Sequence, residues 1–226
     1  MQAEGQVSEL LLRDGTPDAS IRCPPGLIPL PGQYVLAHEP GSDAPLATAL
    51  FAYGMTPDGF VTASPISSTW RPGTRLYLRG PLGNGFALPP SARRIALVAF
   101  RSSSRILLSL LEPAFRQDAS VAWVSDSIPA DLPLQVEAQP PHALLDVCQW
   151  ADYIAFDLRR EALAELKSVF NDGRADLRAK AQVLVRTPMP CGALAACGVC
   201  AVEAGASTLL ACEDGPVFGF KQLRRR

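Results

Sequence analysis

The sequence predicts an α+β chain of several parts: an antiparallel β-barrel, then a doubly wound α/β layer, then a C-terminal segment organised around cysteines. Three observations carry that expectation. Turn signals recur about every ten residues up to residue 90, the spacing of a small all-β barrel or sandwich. Strand-like and helix-like stretches alternate from 91 to 187, the pattern of a sheet covered by helices. Four of the six cysteines fall between residues 191 and 212. The expected divisions are therefore 1–90, 91–187 and 188–226.

In the first part, strands are expected at 7–13, 34–38, 47–53, 60–63 and 75–78. Between them stand Pro24-Pro25-Gly26, Pro31-Gly32, Glu39-Pro40-Gly41, Pro57-Asp58-Gly59 and Arg71-Pro72-Gly73. Proline presets φ and glycine accepts the left-handed region, so each of these is a turn with a mechanism. Such loops account for most of the 21 prolines, which need no functional reading.

The rhythm changes after Pro90. The run Ile95-Ala96-Leu97-Val98-Ala99-Phe100 is continuously apolar, as expected of a parallel strand buried on both faces. Residues 102–116 then show helical spacing at Ile106, Leu107, Leu110 and Leu111. Further strands are expected at 121–124, 134–138, 152–156 and 182–185, with helices at 142–150 and 160–170. Arg159-Arg160-Glu161 and residues 174–178 read as solvated faces. The last forty or so residues show little regular pattern, and no internal repeat occurs.

Composition narrows the function. The 226 residues are 48% hydrophobic and 19% charged, enough apolar material for a core and too little charge for disorder. Lys plus Arg number 21 against 22 Asp plus Glu, a net charge of −1, which argues against nucleic-acid binding. Arg224, Arg225 and Arg226 read as a solvated tail. No stretch reaches the roughly 20 apolar residues that span a bilayer, and no targeting segment is visible. The expectation is a cytoplasmic protein in a reducing compartment, where clustered thiols mean metal or redox chemistry rather than disulfides.

The cluster runs Cys191-x5-Cys197-x2-Cys200-x11-Cys212. Four thiolates are the full ligand set of a [2Fe–2S] cluster or of a structural zinc. Zinc ribbons pair two Cys-x2-Cys knuckles, whereas here three cysteines share one small-residue loop and the fourth comes from further on. That matches the Cys-x4-Cys-x2-Cys loop of plant-type ferredoxins, with one extra residue before Cys197. Gly192, Ala193, Ala195, Ala196 and Gly198 would let backbone amides approach sulfur. The pattern favours [2Fe–2S], with zinc and an empty degenerate site as alternatives. Cys23 and Cys148 are isolated and read as buried free thiols. His38 and His142 show no metal-ligand spacing.

With these residues in hand, a resemblance becomes specific. Cys212-Glu213-Asp214-Gly215-Pro216-Val217-Phe218, Gly80-Pro81-Leu82-Gly83-Asn84-Gly85-Phe86 and Pro31-Gly32-Gln33-Tyr34 resemble the electron-transfer subunit of type B dihydroorotate dehydrogenase. The resemblance implies a ferredoxin-reductase-like plan of flavin barrel, nicotinamide layer and [2Fe–2S] segment. It implies electron transfer from a catalytic flavoprotein subunit, in a hetero-oligomer, through a cluster on Cys191, Cys197, Cys200 and Cys212. It also implies that Gly80, Pro81, Leu82, Gly83 and Asn84 form a flavin-proximal loop, although these residues equally make a tight structural turn.

The departures matter as much. Where the family has an Arg-Pro-x-Ser strand for the FAD pyrophosphate, this chain has Thr48-Ala49-Leu50-Phe51, without the guanidinium that makes the strongest phosphate contacts. The family's next glycine-rich phosphate stretch is replaced by Ser-Pro-Ile-Ser-Ser-Thr-Trp at 64–70. Its Gly-Gly-Gly-x-Gly turn is replaced by Phe100-Arg101-Ser102-Ser103-Ser104, where side chains fill the space a nucleotide needs. The serines read as helix N-cap residues, or, with Arg101 and Arg105, as a remnant anion site. A Cys-Gly-Pro is replaced by Phe156-Asp157-Leu158. The sequence thus weighs against NAD and leaves FAD open. The reading is an iron–sulfur electron-transfer subunit, alone not a complete enzyme, which passes electrons to a further acceptor protein if FAD is absent. The alternative is a non-catalytic scaffold that keeps fold and cluster for assembly.

Overall fold

Proline- and glycine-rich breaks turn the first part into six antiparallel strands: β1 (Gln2–Arg13), β2 (Thr16–Arg22), β3 (Tyr34–His38), β4 (Thr48–Thr56), β5 (Gly59–Ala63) and β6 (Arg75–Leu82). They close in the order β1-β2-β5-β4-β3-β6. The computed structural model describes residues 1–13, 15–43, 46–63, 66–170 and 180–223. Residues 174–178 and 224–226, and Ser64 and Pro65, lie outside that set. Register shifts in β1, β3 and β4 supply the local bends that closure needs. Val7, Ile21, Val35, Leu50, Phe60, Trp70 and Leu76 fill the interior.

Strand β2 is absent from the sequence expectation. Its Thr16-Pro17-Asp18 start has low strand propensity, yet Asp18 is wholly buried. Strands β1 and β6 also extend further than expected, because each pairs with the other at its far end.

The second part forms a parallel sheet from β7 (Arg94–Ala99), β8 (Ser120–Ser125), β9 (Glu137–Gln139), β10 (Tyr153–Arg159) and β11 (Ala181–Arg186). Its order is β11-β10-β7-β8-β9. Along β7, Ala96 and Val98 enter one core while Ile95, Leu97 and Ala99 enter the other. Burial on both faces is why this strand reads as an unbroken apolar run. Expected strand 134–138 shrinks to β9, and Leu134 stands in solvent.

The covering helices are short. The helix expected at 102–116 is a 3-10 turn (Ile106–Leu110) followed by α1 (Leu111–Arg116). Pro113 explains the break, since inside a continuous helix its ring would clash with the carbonyl of Ser109. Segments 142–150 and 160–170 likewise begin as 3-10 turns before α2 (Leu144–Trp150) and α3 (Leu163–Val169).

The C-terminal part is more regular than its sequence suggests. It holds a hairpin of β12 (Ala201–Ala204) and β13 (Ser207–Leu210), then β14 (Val217–Gly219) and α4 (Phe220–Leu223). Strand β14 pairs antiparallel with β11, so the cysteine segment is stitched into the α/β sheet.

Barrel and sheet meet across a buried ion pair. Arg105 Nη1 donates to Asp18 Oδ2 at 2.8 Å, and Tyr53 Oη donates to the same oxygen at 2.6 Å. Arg105 is 4% exposed and Asp18 0%. Among the described residues no helix is long and apolar enough to cross a membrane.

Candidate metal centre

The four clustered thiols come together as two pairs. Cys191 and Cys197 have sulfurs 3.6 Å apart, and Cys200 and Cys212 have sulfurs 3.1 Å apart. Each pair has a local cause. Gly192 and Ala193 both take positive φ, 51° and 68°, and curl the chain back over Cys191. This curl accommodates the extra residue before Cys197, and Cys191 Sγ lies 3.3 Å from the carbonyl oxygen of Ala195. The β12–β13 hairpin brings its two ends together, with Ala211 N donating to Cys200 O at 3.1 Å. Among the described residues, no three Cys, His, Asp or Glu side chains converge on a single ion position.

The two pairs differ in setting. Cys197 is exposed and Cys191 half-buried, while Cys200 and Cys212 are buried. Hydrogen bonding from the Ala195 backbone, reinforced by Cys197 and the Ala193 and Leu194 backbone, lowers the Cys191 pKa below the ordinary thiol value. Burial, with the neighbouring Cys200, pushes Cys212 up to about 12. The isolated thiols are core residues, as expected. Burial raises Cys23 to about 11 and Cys148 to about 12, which leaves both inert.

Three stretches that are distant in sequence build the wall behind these thiols. Asn84 Nδ2 donates to Asp214 O at 2.8 Å, and Asn84 N donates to Gly215 O. Gln33 Nε2 donates to Gly83 O at 3.2 Å, and Phe86 N to Pro31 O at 2.8 Å. A Cβ on Gly83, at φ +73, would lie 2.5 Å from Pro216 Cδ and 3.0 Å from Tyr34 Cε1. So residues 31–34, 80–86 and 214–217, singled out separately in the sequence, are one packed unit. Gly80, Pro81 and Leu82 close β6, and Gly83 and Asn84 face the chain that leaves Cys212.

Two barrel side chains that the spacing of the cysteines does not reveal complete the site. Arg79 Nη2 donates to Cys191 O at 2.9 Å and to Gly192 O at 2.6 Å. A Cβ on Gly192 would lie 2.3 Å from that same nitrogen, which explains the glycine. Tyr34 is fully buried in the same core cluster as Cys200 and Cys212, and its hydroxyl has no hydrogen-bond partner among the described residues.

The barrel–sheet junction is different. A cavity of about 720 Å³ lies between β4 and the ends of β10 and β11, lined by Thr48, Phe51, Ile106, Arg159, Thr187 and Met189 among others. Three of the arginines nearby are engaged by carboxylates, while Arg159 at the end of β10 lines the cavity itself. Arg101 binds Glu165 at 2.7 and 2.9 Å, Arg105 binds Asp18, and Arg186 binds the wholly buried Asp157 at 2.7 Å. Ser102 Oγ accepts from Arg186. The remnant anion site considered from the sequence is therefore internally neutralised. Nor do the serines cap an α-helix: Ser104 Oγ accepts from Ile106 N at 3.2 Å in a short turn that leads into the 3-10 segment. His38 lines a groove beside Cys191, and His142 lines a separate cavity of about 240 Å³ at the ends of β7 and β8.

A closed antiparallel barrel, a parallel sheet in the order of a doubly wound fold and a segment of paired thiols give the chain the ferredoxin-reductase plan. Residues 187–224 match the iron-sulfur cluster binding domain of dihydroorotate dehydrogenase B. The fold is shared with a solved NADH-dependent reduced ferredoxin-NADP oxidoreductase studied for flavin-based electron bifurcation, at TM-score 0.73 and 16% identity, covering 97% of this chain and 89% of that one. The ferredoxin reductase in carbazole 1,9a-dioxygenase matches at TM-score 0.65 and 16% identity, over 81% and 68%. The H286L mutant of ferredoxin-NADP+ reductase from Plasmodium falciparum matches at TM-score 0.61 and 10% identity, over 82% and 96%. No curated protein sequence matches the chain.

Proposed function

We propose that Cys191, Cys197, Cys200 and Cys212 hold a [2Fe–2S] cluster, and that the chain relays electrons from a dihydroorotate dehydrogenase-like catalytic flavoprotein in a cytoplasmic hetero-oligomer. The observation that carries this reading is the pairing of the thiols. Two thiolates about 2.3 Å from one tetrahedral metal sit roughly 3.8 Å apart. Two such pairs, with no three donors on one point, suit two metals better than a single zinc. When bound, the cluster supplies one-electron storage between a donor and an acceptor.

The chain's own residues supply the rest. Arg79 fixes the Cys191–Gly192 backbone, and the buried Cys200–Cys212 side keeps water from half of the site. Leu194 and Val199, 75% and 44% exposed, surround exposed Cys197 with apolar surface suited to a partner. We assign 1–90 and 91–187 to supporting this site and 188–226 to the cluster. The cavity at β4 has room for a flavin ring, and the Thr187 hydroxyl beside it is buried without a partner. No arginine stands on β4, and Arg105 and Arg186 are paired, which leaves Arg159 to line the cavity; one guanidinium fits a pyrophosphate poorly. We derive no step through FAD or NAD. Electrons then leave to a further acceptor protein.

The test is to purify the chain with its catalytic subunit, assay iron, acid-labile sulfide and zinc, and add dihydroorotate. Red-brown absorption that bleaches with substrate supports relay. A cluster that stays oxidised supports the scaffold reading, and a colourless zinc protein refutes both. Stoichiometric FAD in the extract would overturn the cofactor assignment. Arg79→Met removes two charged-donor hydrogen bonds, each worth about 1.5–3 kcal/mol. It is expected to speed loss of visible absorbance in a chelator by roughly tenfold or more, followed by spectrophotometry.

A further inference from the structure

We propose that the Tyr34 hydroxyl donates a hydrogen bond to the sulfur of Cys212 when the site is loaded, and thereby raises the reduction potential of the cluster. The proposal rests on the cysteine assignment above.

A buried phenol without a partner is costly, about 1–3 kcal/mol, so its persistence asks for an explanation. Tyr34 has 0% exposure, and its hydroxyl finds no acceptor among the described residues. The ring is held in place. Phe51 lies 5.8 Å away, centroid to centroid, and the missing side chain of Gly83 leaves the space that Cε1 approaches. Strand β3 fixes the backbone by pairing with β4 and β6 on either side.

The ring edge next to the hydroxyl and the Gly215-Pro216 segment that follows Cys212 meet at Gly83, and Tyr34 shares its core cluster with Cys200 and Cys212. Burial raises the Tyr34 pKa first of all, and the thiolates of Cys212, Cys200 and Cys191 raise it further while Arg79 opposes them. Cys212 has the largest influence of the three and is itself buried. A phenol is a donor, and a thiolate holding metal is an acceptor with no proton of its own. One-electron reduction adds negative charge to the sulfurs, so a donor aimed at them stabilises the reduced form more than the oxidised form. Tyr34 is a positioning residue in this sense: it acts through Cys212 and touches no substrate.

Tyr34→Phe removes the hydroxyl and keeps the ring. The expected result is full iron and sulfide content with the one-electron equilibrium shifted about tenfold against reduction, a fall of roughly 59 mV for one electron. The potential is read by redox titration of the isolated chain with electron paramagnetic resonance detection, without any turnover. Should Tyr34→Phe fail to load, site-specific 3-fluorotyrosine at position 34 serves instead, being nearly isosteric with a more acidic phenol. Its potential rises if the hydroxyl donates to sulfur. A loaded protein whose potential does not move with either change overturns the proposal and leaves the cysteine assignment standing. Wild-type protein without iron overturns that assignment itself.

Discussion

Cys212→Ala is expected to abolish the cluster. Disturbing even a group behind a metal ligand costs about 10–100-fold in affinity, and removing the ligand itself costs more. Iron and sulfide per chain should fall below about a tenth of the wild-type value, with loss of visible absorbance, and chemical reconstitution should not restore them. Cys148→Ala and Cys23→Ala are the controls. Both thiols are buried, Cys23 inside the barrel and Cys148 on α2. Their truncation removes one sulfur's packing, about 1 kcal/mol of stability, and leaves iron content unchanged. Equal iron loss in Cys148→Ala and Cys212→Ala would refute the division into four ligands and two bystanders. Because β14 follows Cys212 and pairs with β11, loss of the cluster should also loosen the sheet edge. Hydrogen exchange at Val217 and Phe218 would report it.

Arg105→Leu is expected to destabilise the fold by about 3 kcal/mol, because it removes the closer, buried cation from Asp18 and leaves only the half-exposed Arg13, 3.6 Å from the same oxygen. Asp18 has no exposure, and its second oxygen already lacks a partner, so water cannot compensate. The double variant Arg105→Leu with Asp18→Leu removes both charges and should recover most of that loss. Urea unfolding measures both. A cost below about 1 kcal/mol for Arg105→Leu would mean the pair is hydrated in solution and does not hold barrel to sheet. Iron content should be unaffected in the folded fraction, since neither residue approaches the thiols.

The legibility of the chain followed the range of its interactions. The four cysteines were readable because a metal loop is local, and the strand at β7 because burial on both faces leaves an unbroken apolar run. Strand β3 is legible to the residue for a different local reason: it lies between the sharp turn signals Pro31-Gly32 and Pro40-Gly41. Strand β2 was not readable, since Pro17 and Asp18 argue locally against a strand while the ion pair with Arg105, distant in sequence, argues for one. The apolar spacing of 102–116 reads as one helix, and Pro113 is what divides it. The β12–β13 hairpin is too short and polar to show a period. In the site, Arg79 gave no signal at all, because its targets are backbone oxygens of a loop 112 residues away. Tyr34 lay inside a recognised motif, but nothing in the motif says what its hydroxyl faces.

The packed unit formed by residues 31–34, 80–86 and 214–217 also orders events during biosynthesis. Asn84 and Asp214 are separated by 130 positions, so their contact closes a long loop and comes late. A ribosome releases the barrel strands well before it releases Cys212. On the proposed cysteine assignment, iron would therefore reach a chain whose barrel strands are already released, and would load after the barrel rather than seed it. In iron-starved cells the expected species is a barrel with an unfinished C-terminal edge, exposing the segment around Cys212 to proteases and sparing the residues before it.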